Sequence, residues 1–191
     1  MIPPNLLLQG YRQGLFPMAL EDGEIGWFSP DPRGVLPLED GGYRIPHGLR
    51  RRLKNNPFEV RIDTAFRAVM EGCAARDDTW INTVIIDSYC TLHTLGMAHS
   101  VETWKNGKLA GGLYGVALGG AFFGESMFHT VTDASKVALH ALVERLRERG
   151  YRLLDLQWTT PHLCTFGAVS VPRAVYLDRL AKALRRRCVF S

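Results

Sequence analysis

The sequence predicts an α/β fold of the α+β kind: a domain with a mixed sheet over residues 58–191, preceded by a small N-terminal lobe over residues 1–57. Three observations predict it. The stretch Gly111–Gln157 reads as strand, helix, strand, and a crossover of that length is almost always right-handed between parallel strands. Ahead of it, Ser100–Trp104, Lys108–Leu118 and Ala121–Phe128 are strand-like runs joined by Asn106-Gly107 and Gly119-Gly120, the pattern of an antiparallel meander. The composition also shifts near residues 56–58.

Taken in order, residues 3–13 read as a short helix with Leu6, Leu7 and Tyr11 on one face, ended by Gly14. Leu15-Phe16-Pro17-Met18 reads as an apolar turn and Glu21–Gly26 as a loop. The prolines of segment 27–38 forbid a helix and demote any strand there to an edge, so Trp27–Leu38 reads as a rigid wall around Arg33. A short basic helix ends at Asn55-Asn56-Pro57, and Phe58–Ile62 alternates as a strand. Asp63 reads as the cap of a helix with Phe66, Val69, Met70 and Cys73 inward. A second helix over 83–95 turns Tyr89, Leu92 and Leu95 inward and stops at Gly96. After the meander, helix 133–149 carries Val137, Leu139, Leu142, Val143 and Leu146 on its apolar stripe. Strands at Leu153–Trp158 and Val169–Val171 follow, and Pro172 opens a last helix with Val175, Leu177, Leu180 and Leu184. Two helices, a three-strand meander, a helix and a strand is the order of an acetyltransferase-like (GNAT-type) fold.

Composition narrows the function classes. Apolar residues make up 46% of the 191 and charged residues 22%, which suits a globular chain with a sizeable core. No run of about 18 apolar residues occurs, and the N-terminus lacks the basic region and apolar core of a signal peptide. Cys73, Cys90, Cys164 and Cys188 are too far apart for a C-x-x-C pair, and free thiols suit a reducing cytosol, so the expected location is cytoplasmic. The net charge of +4 is concentrated. Arg44, Arg50, Arg51, Arg52 and Lys54 fall in one run without an acid, and Arg185, Arg186 and Arg187 sit in the tail. Such a run describes a phosphate-backbone contact or a solvated helix face.

The candidate chemistry lies in the strand–helix–strand unit. Glu125, Asp155 and Gln157 are polar groups in otherwise apolar strands, and a buried carboxylate is expensive unless paired or used. Glu125 and Gln157 come late in their strands, which brings them together at the carboxyl ends where open α/β sheets place ligands. From spacing alone two readings stand: the groups satisfy one another, or they form a site. No P-loop, no G-x-G-x-x-G opening a helix and no G-x-S-x-G occurs. His93, His99, His129, His140 and His162 form no ligand pair on one helix face, so neither metal nor other cofactor is expected. The turn Phe128–Asp133, where a coenzyme A pyrophosphate would sit in this fold, has no glycine and ends in an acid.

The residues also carry a resemblance. Tyr-Arg-Gln-Gly-Leu-Phe-Pro at 11–17, Trp-Phe-Ser-Pro-Asp-Pro-Arg-Gly-Val-Leu at 27–36, Thr-Trp-Ile-Asn at 79–82, His-Ser-Val-Glu-Thr-Trp at 99–104, Gly-Gly-Leu-Tyr-Gly-Val at 111–116, Phe-Phe-Gly-Glu-Ser-Met-Phe at 122–128, Asp-Ala-Ser-Lys at 133–136 and Leu-Asp-Leu-Gln at 154–157 together resemble the leucyl/phenylalanyl-tRNA–protein transferase family, nearly end to end. The resemblance implies transfer of Leu or Phe from leucyl-tRNA or phenylalanyl-tRNA to the α-amino group of proteins with N-terminal Lys or Arg, a tag for N-end-rule degradation. It implies Asp155 and Gln157 as the catalytic pair, with Asp155 orienting or deprotonating the amine, and Glu125 as partner of the acceptor's basic side chain. Phe122, Met127, Leu139 and Leu154 match the aminoacyl pocket, though plain core describes Leu139 as well. Trp80 matches an adenine-stacking residue, with Met18 where the family often has Trp, and Arg50, Arg51, Arg52 and Lys54 would hold the tRNA backbone. Strict alternation puts Phe122 opposite Glu125, and a bulge at Gly124 would relax that. Relative to the family, the chain begins without a glycine-rich segment, and Pro161, Thr165 and Phe166 depart from the usual pattern after Gln157. Two other readings are an acyl-CoA-dependent N-acetyltransferase of related fold and a non-catalytic tRNA-binding module.

Overall fold

In the computed structural model, which describes residues 1–76 and 79–191, a seven-stranded mixed sheet carries helices on both faces. The helices are α1 (Pro4–Arg12), α2 (His47–Lys54), α3 (Phe66–Ala74), α4 (Thr83–Thr94), α5 (Ala134–Glu148), α6 (Pro161–Cys164) and α7 (Arg173–Leu184). The strands are β1 (Phe16–Ala19), β2 (Ile25–Phe28), β3 (Arg33–Leu36), β4 (Glu59–Ile62), β5 (Ala98–Lys105), β6 (Lys108–Leu118), β7 (Ala121–His129), β8 (Leu153–Gln157) and β9 (Val169–Val171). The order in the large sheet is β4-β5-β6-β7-β8-β3-β9, and β1 and β2 form a separate two-stranded ribbon. This is the mixed α/β architecture that the order of elements predicts. One face packs α1, α3, α4 and α7 around Tyr11, Val69, Tyr89, Tyr114 and Tyr176, and the other packs α5 and α2 around Leu49, Phe122, Leu142 and Leu154.

The meander forms because its turns allow it. Asn106 and Gly107 both have positive φ, 51° and 72°, as a two-residue hairpin turn requires, so Lys105 pairs with Lys108. The crossover through α5 returns parallel to β7, but β8 pairs with it only from Ala121–Phe123 to Leu153–Asp155. Beyond those pairs the two strands part, and the gap between them is where the site forms. Just past the last pair β7 is bulged: Ser126 opposes Tyr114 and Gly124 opposes Gly115, which leaves Glu125 as the extra residue. The bulge returns Met127 to the α5 face, where Phe122 also lies, and keeps Glu125 on the opposite face.

Several local expectations are corrected. Phe16–Ala19 and Ile25–Phe28 are paired strands, not turn and loop; Pro17 is tolerated because each strand of a two-stranded ribbon is an edge. β3 is not an edge but lies between β8 and β9, since Pro30, Pro32 and Pro37 flank it without entering it. The large sheet is therefore built from both sides of residue 57. Asp63 caps nothing: it has φ 59° and accepts from the Ser100 amide at 2.9 Å, while Glu102 receives the Thr64 and Ala65 amides ahead of α3. Leu6, Leu95, Val175 and Leu177 are exposed, because the buried stripes run through Leu7, Gly10 and Tyr11 in α1 and through Tyr176, Leu180 and Ala183 in α7. The short α6 was not expected; Thr160 caps it and Pro161 occupies its first turn, where a missing N–H costs nothing.

Candidate functional site

At the centre of the molecule is a buried ion pair. Asp155, on β8, is 0% exposed and so is Arg33 on the neighbouring β3. Arg33 donates from Nε to Oδ1 at 2.9 Å and from Nη2 to Oδ2 at 2.7 Å. The Tyr176 hydroxyl of α7 donates to Oδ2 at 2.8 Å, and the Gln157 amide donates to Oδ1 at 2.9 Å. A buried pair repays its desolvation only when its remaining hydrogen-bonding capacity is filled. Here it is: each carboxylate oxygen accepts twice, and the third guanidinium nitrogen donates to the Gly14 carbonyl at 2.8 Å. The guanidinium also lies over the rings of Tyr176 and Phe16, at 4.4 and 4.9 Å from their centroids. Burial, then the negative charge of Asp155, holds the Tyr176 hydroxyl well above its ordinary pKa, so it stays a donor.

This pair pins a strained turn. Gln157 has φ 60°, uncommon for a residue with a side chain, and its N–H is the one that Asp155 accepts. Trp158 then closes back to the Leu156 carbonyl at 2.7 Å. The turn passes tight against Gly34 of β3, where a Cβ would stand 2.5 Å from the Trp158 carbonyl carbon. Glycine is required there for steric reasons.

Across the gap, the bulge turns Glu125 inward at 8% exposure. Its Oε1 accepts from the Tyr11 hydroxyl at 2.7 Å and from Gln157 Nε2 at 3.2 Å. Tyr11 in turn contacts the Tyr89 hydroxyl, and burial holds both phenols well above their ordinary pKa. The other oxygen, Oε2, is buried and has no hydrogen-bond partner among the described residues. Burial raises the Glu125 carboxyl to about 8, opposed by the hydrogen bond from Tyr11 and reinforced by the charge of Asp155.

Glu125 and Gln157 line two cavities that share walls. The larger, about 900 Å³, is bounded by Trp80, Trp158, Ser126, Arg76 and the start of α5, with His129, Lys136 and His162 also in its wall. The smaller, about 80 Å³, opens between the parted strands and is walled by Leu113, Met127, Leu139, Leu142, Leu154 and Leu156. Met127, Leu139 and Leu154 therefore meet at one apolar slot, and Trp80 lies on the large cavity. Phe122 and Met18 line neither: Phe122 stacks on Phe190 with centroids 5.2 Å apart, and Met18 packs into the core on the α1 side. Arg50, Arg51 and Lys54 are exposed on α2, and Arg52 reaches Asp133 on the cavity wall at 3.3 Å. Asp133 also takes Lys136 at 2.8 Å, which fills the turn ahead of α5 with paired side chains instead of open backbone amides. Among the described residues, no group of three or more His, Cys, Asp or Glu side chains is placed to hold a metal ion.

Sequence reasoning missed Arg33, Tyr176, Tyr11, Tyr89 and Trp158. Arg33 carried a signal, a lone cation inside a proline-framed aromatic stretch. The tyrosines carried none, because a tyrosine on an apolar stripe reads as core.

The mixed sheet with its splayed parallel pair thus holds an apolar slot in the splay, with a carboxylate and an amide at its mouth, a site for an apolar group beside a polar one. Comparison with known proteins gives the particular family. The family model described as leucyl/phenylalanyl-tRNA protein transferase matches residues 35–181, and that of its N-terminal domain matches residues 1–31. Relatives named leucyl/phenylalanyl-tRNA–protein transferase include those of Herpetosiphon aurantiacus, 52% identical over 99% of this chain and 98% of that protein, and Rubrobacter xylanophilus, 54% identical over 100% and 99%. The relative from Akkermansia muciniphila is 53% identical over 97% of this chain and 98% of its own. The chain belongs to the leucyl/phenylalanyl-tRNA–protein transferase family. Among solved structures, the C-terminal domain of a putative lysylphosphatidylglycerol synthetase from Agrobacterium fabrum aligns with TM-score 0.47 and 13% identity, covering 96% of this chain and 58% of that one.

Proposed function

We propose that the chain moves leucine or phenylalanine from leucyl-tRNA or phenylalanyl-tRNA onto the α-amino group of proteins that begin with Lys or Arg, in the cytoplasm, marking them for N-end-rule degradation. Family membership supports the reaction class. The observation that carries the acceptor is the unpartnered Glu125 Oε2, an orphaned carboxylate oxygen beside the apolar slot. An ammonium or guanidinium satisfies it with a charge-assisted hydrogen bond. The slot of about 80 Å³ suits one aliphatic or aromatic side chain, held by Met127, Leu139 and Leu154. Trp80 offers a face to the terminal adenine, and Arg50, Arg51, Arg52 and Lys54 follow the phosphate backbone.

The reaction is aminolysis of an activated ester. The amine nitrogen bonds to the carbonyl carbon, the carbon–ribose oxygen bond breaks, and the amine proton ends on the freed ribose hydroxyl. ATP has no part in it, since the ester is already activated. The role left to the protein is holding amine and ester in register. Gln157, at the junction of both cavities, is the group that orients amine or carbonyl. Asp155 is a positioning residue in this reading. Both its oxygens are engaged and it faces neither cavity, so it fixes the turn that presents Gln157 and does not take a proton from the amine.

The test is transfer of label from leucyl-tRNA to peptides that differ only in their first residue. Label in Arg- and Lys-starting peptides and not in Asp- or Gly-starting ones is the expected result. Absence of label, with coenzyme A binding by calorimetry, returns the fold to acetyl transfer. Tight tRNA binding without transfer leaves a binding module.

A further inference from the structure

We infer that Trp158, in addition to Trp80, is a stacking platform in the large cavity for a base of the donor RNA's single-stranded 3′ end. The inference rests on the aminoacyl-tRNA reading above. Of the four tryptophans, Trp158 alone is exposed, at 45%, and it lines the large cavity. A single exposed apolar side chain needs no explanation. This one is held in place by three separate features. The left-handed Gln157 precedes it and is pinned by the buried Arg33–Asp155 pair. The missing side chain of Gly34 leaves room for its backbone. Phe16 meets its indole edge-on, with centroids 5.2 Å apart, which fixes the ring without covering its outer part. A backbone in a costly conformation that presents a half-bare indole to a cavity is a built feature and not a loose surface residue.

The chemistry of the wall selects the ligand. Arg76 and Lys136 line the same cavity as Trp158, and α2 with its three arginines joins the rim through Arg52, which shares Asp133 with Lys136. An aromatic face beside Arg76 and Lys136 suits a base on a phosphate chain, as single-strand binding proteins use it. A side chain of the acceptor's second residue would use the indole but not the cations.

The test uses equilibrium binding of deacylated tRNA, intact and with its single-stranded 3′ end removed. Trp158→Leu keeps apolar bulk and loses the π-face; Trp158→Phe keeps a ring. Affinity of the Leu variant for intact tRNA should fall about 10-fold, the weight of one base–aromatic stack. Its affinity for truncated tRNA should match wild type, and the Phe variant should recover most of the loss. The KM for an Arg-starting peptide should not move. Equal affinities for intact tRNA, an equal loss with truncated tRNA, or a shift in peptide KM in place of RNA affinity would each overturn the assignment. Because binding is read without transfer, the labelling assay reports on the reaction independently of Trp158.

Discussion

Replacing Glu125 with Gln should stabilise the protein in a way that depends on pH. The wild-type carboxyl is raised from about 4.5 to about 8 by burial, so the folded state binds its proton more tightly than the unfolded chain does. Its contribution to stability is therefore whole below about pH 4.5 and is lost as pH rises through about 8. Gln keeps the size and the acceptor for Tyr11 but has nothing to ionise. Between those two pH values wild type should lose stability relative to Glu125→Gln at up to about 1.4 kcal/mol per pH unit. The full interval gives an upper bound of roughly 5 kcal/mol. Water entering the adjoining cavity of about 900 Å³ will lower it, so a few kcal/mol is the realistic size. For a domain of this length that is roughly 5–10 °C in melting temperature. The assay is thermal unfolding of both proteins from pH 4 to pH 9. The difference should be small and constant near pH 4, widen through neutrality and level off above pH 8. A difference that does not change with pH would refute the reasoning, since only an ionisation confined to Glu125 produces that shape.

The remaining expectations concern binding and transfer. Arg50→Glu with Arg51→Glu should weaken tRNA binding and lower the slope of log affinity against log salt by about 0.7–0.9 for each phosphate that is no longer neutralised; an unchanged slope in a salt titration would make α2 a solvated face. Asp155→Asn leaves Arg33 buried without its counter-charge and should cost about 3–5 kcal/mol in chemical denaturation. In a Glu125→Gln background, which removes the Glu125 titration near pH 8, the further fall in single-turnover transfer caused by Asp155→Asn should be constant from pH 6 to 9, and a pH-dependent factor would restore Asp155 as proton acceptor. Leu139→Ala enlarges the slot and should raise the use of phenylalanyl-tRNA relative to leucyl-tRNA, at about 2–5 kcal/mol of stability; an unchanged ratio of kcat/KM values would place the aminoacyl side chain elsewhere.

How much of this was legible in the sequence depends on the range of each interaction. The meander was readable because hairpins are local: Asn106-Gly107 specifies its turn and alternation specifies the flanks. The α5 stripe was readable for the same reason, and all five of its predicted inward residues are buried. The meeting of Glu125 with Gln157 followed from strand polarity alone. The rest needed contacts across the chain. Arg33 reaches Asp155 over 122 positions, Tyr11 reaches Glu125 over 114, and no periodicity encodes either partner. The placing of β3 inside the sheet was hidden because its flanking prolines are poor ladder partners while the four residues between them are good ones.

Those long-range contacts also explain why three polar residues in one unit behave so differently. Asp155 is charged, saturated and turned away from the cavities. Glu125 is buried with one oxygen free and a proton held to about pH 8. Gln157 cannot ionise and bridges the two, through its backbone to Asp155 and through its side chain to Glu125. When a cationic side chain reaches Glu125 Oε2, the ionised form becomes favourable and the Gln157 amide gains a stronger acceptor. In the function proposed above, docking of an acceptor with a cationic first residue would tighten the Gln157 amide, while the Arg33–Asp155 pair keeps the backbone of Gln157 from following. A neutral first residue would leave Glu125 protonated and the amide weakly held. On that proposal, selection of the acceptor and alignment of the amine would both follow from the same bulge in β7 and the same turn after β8.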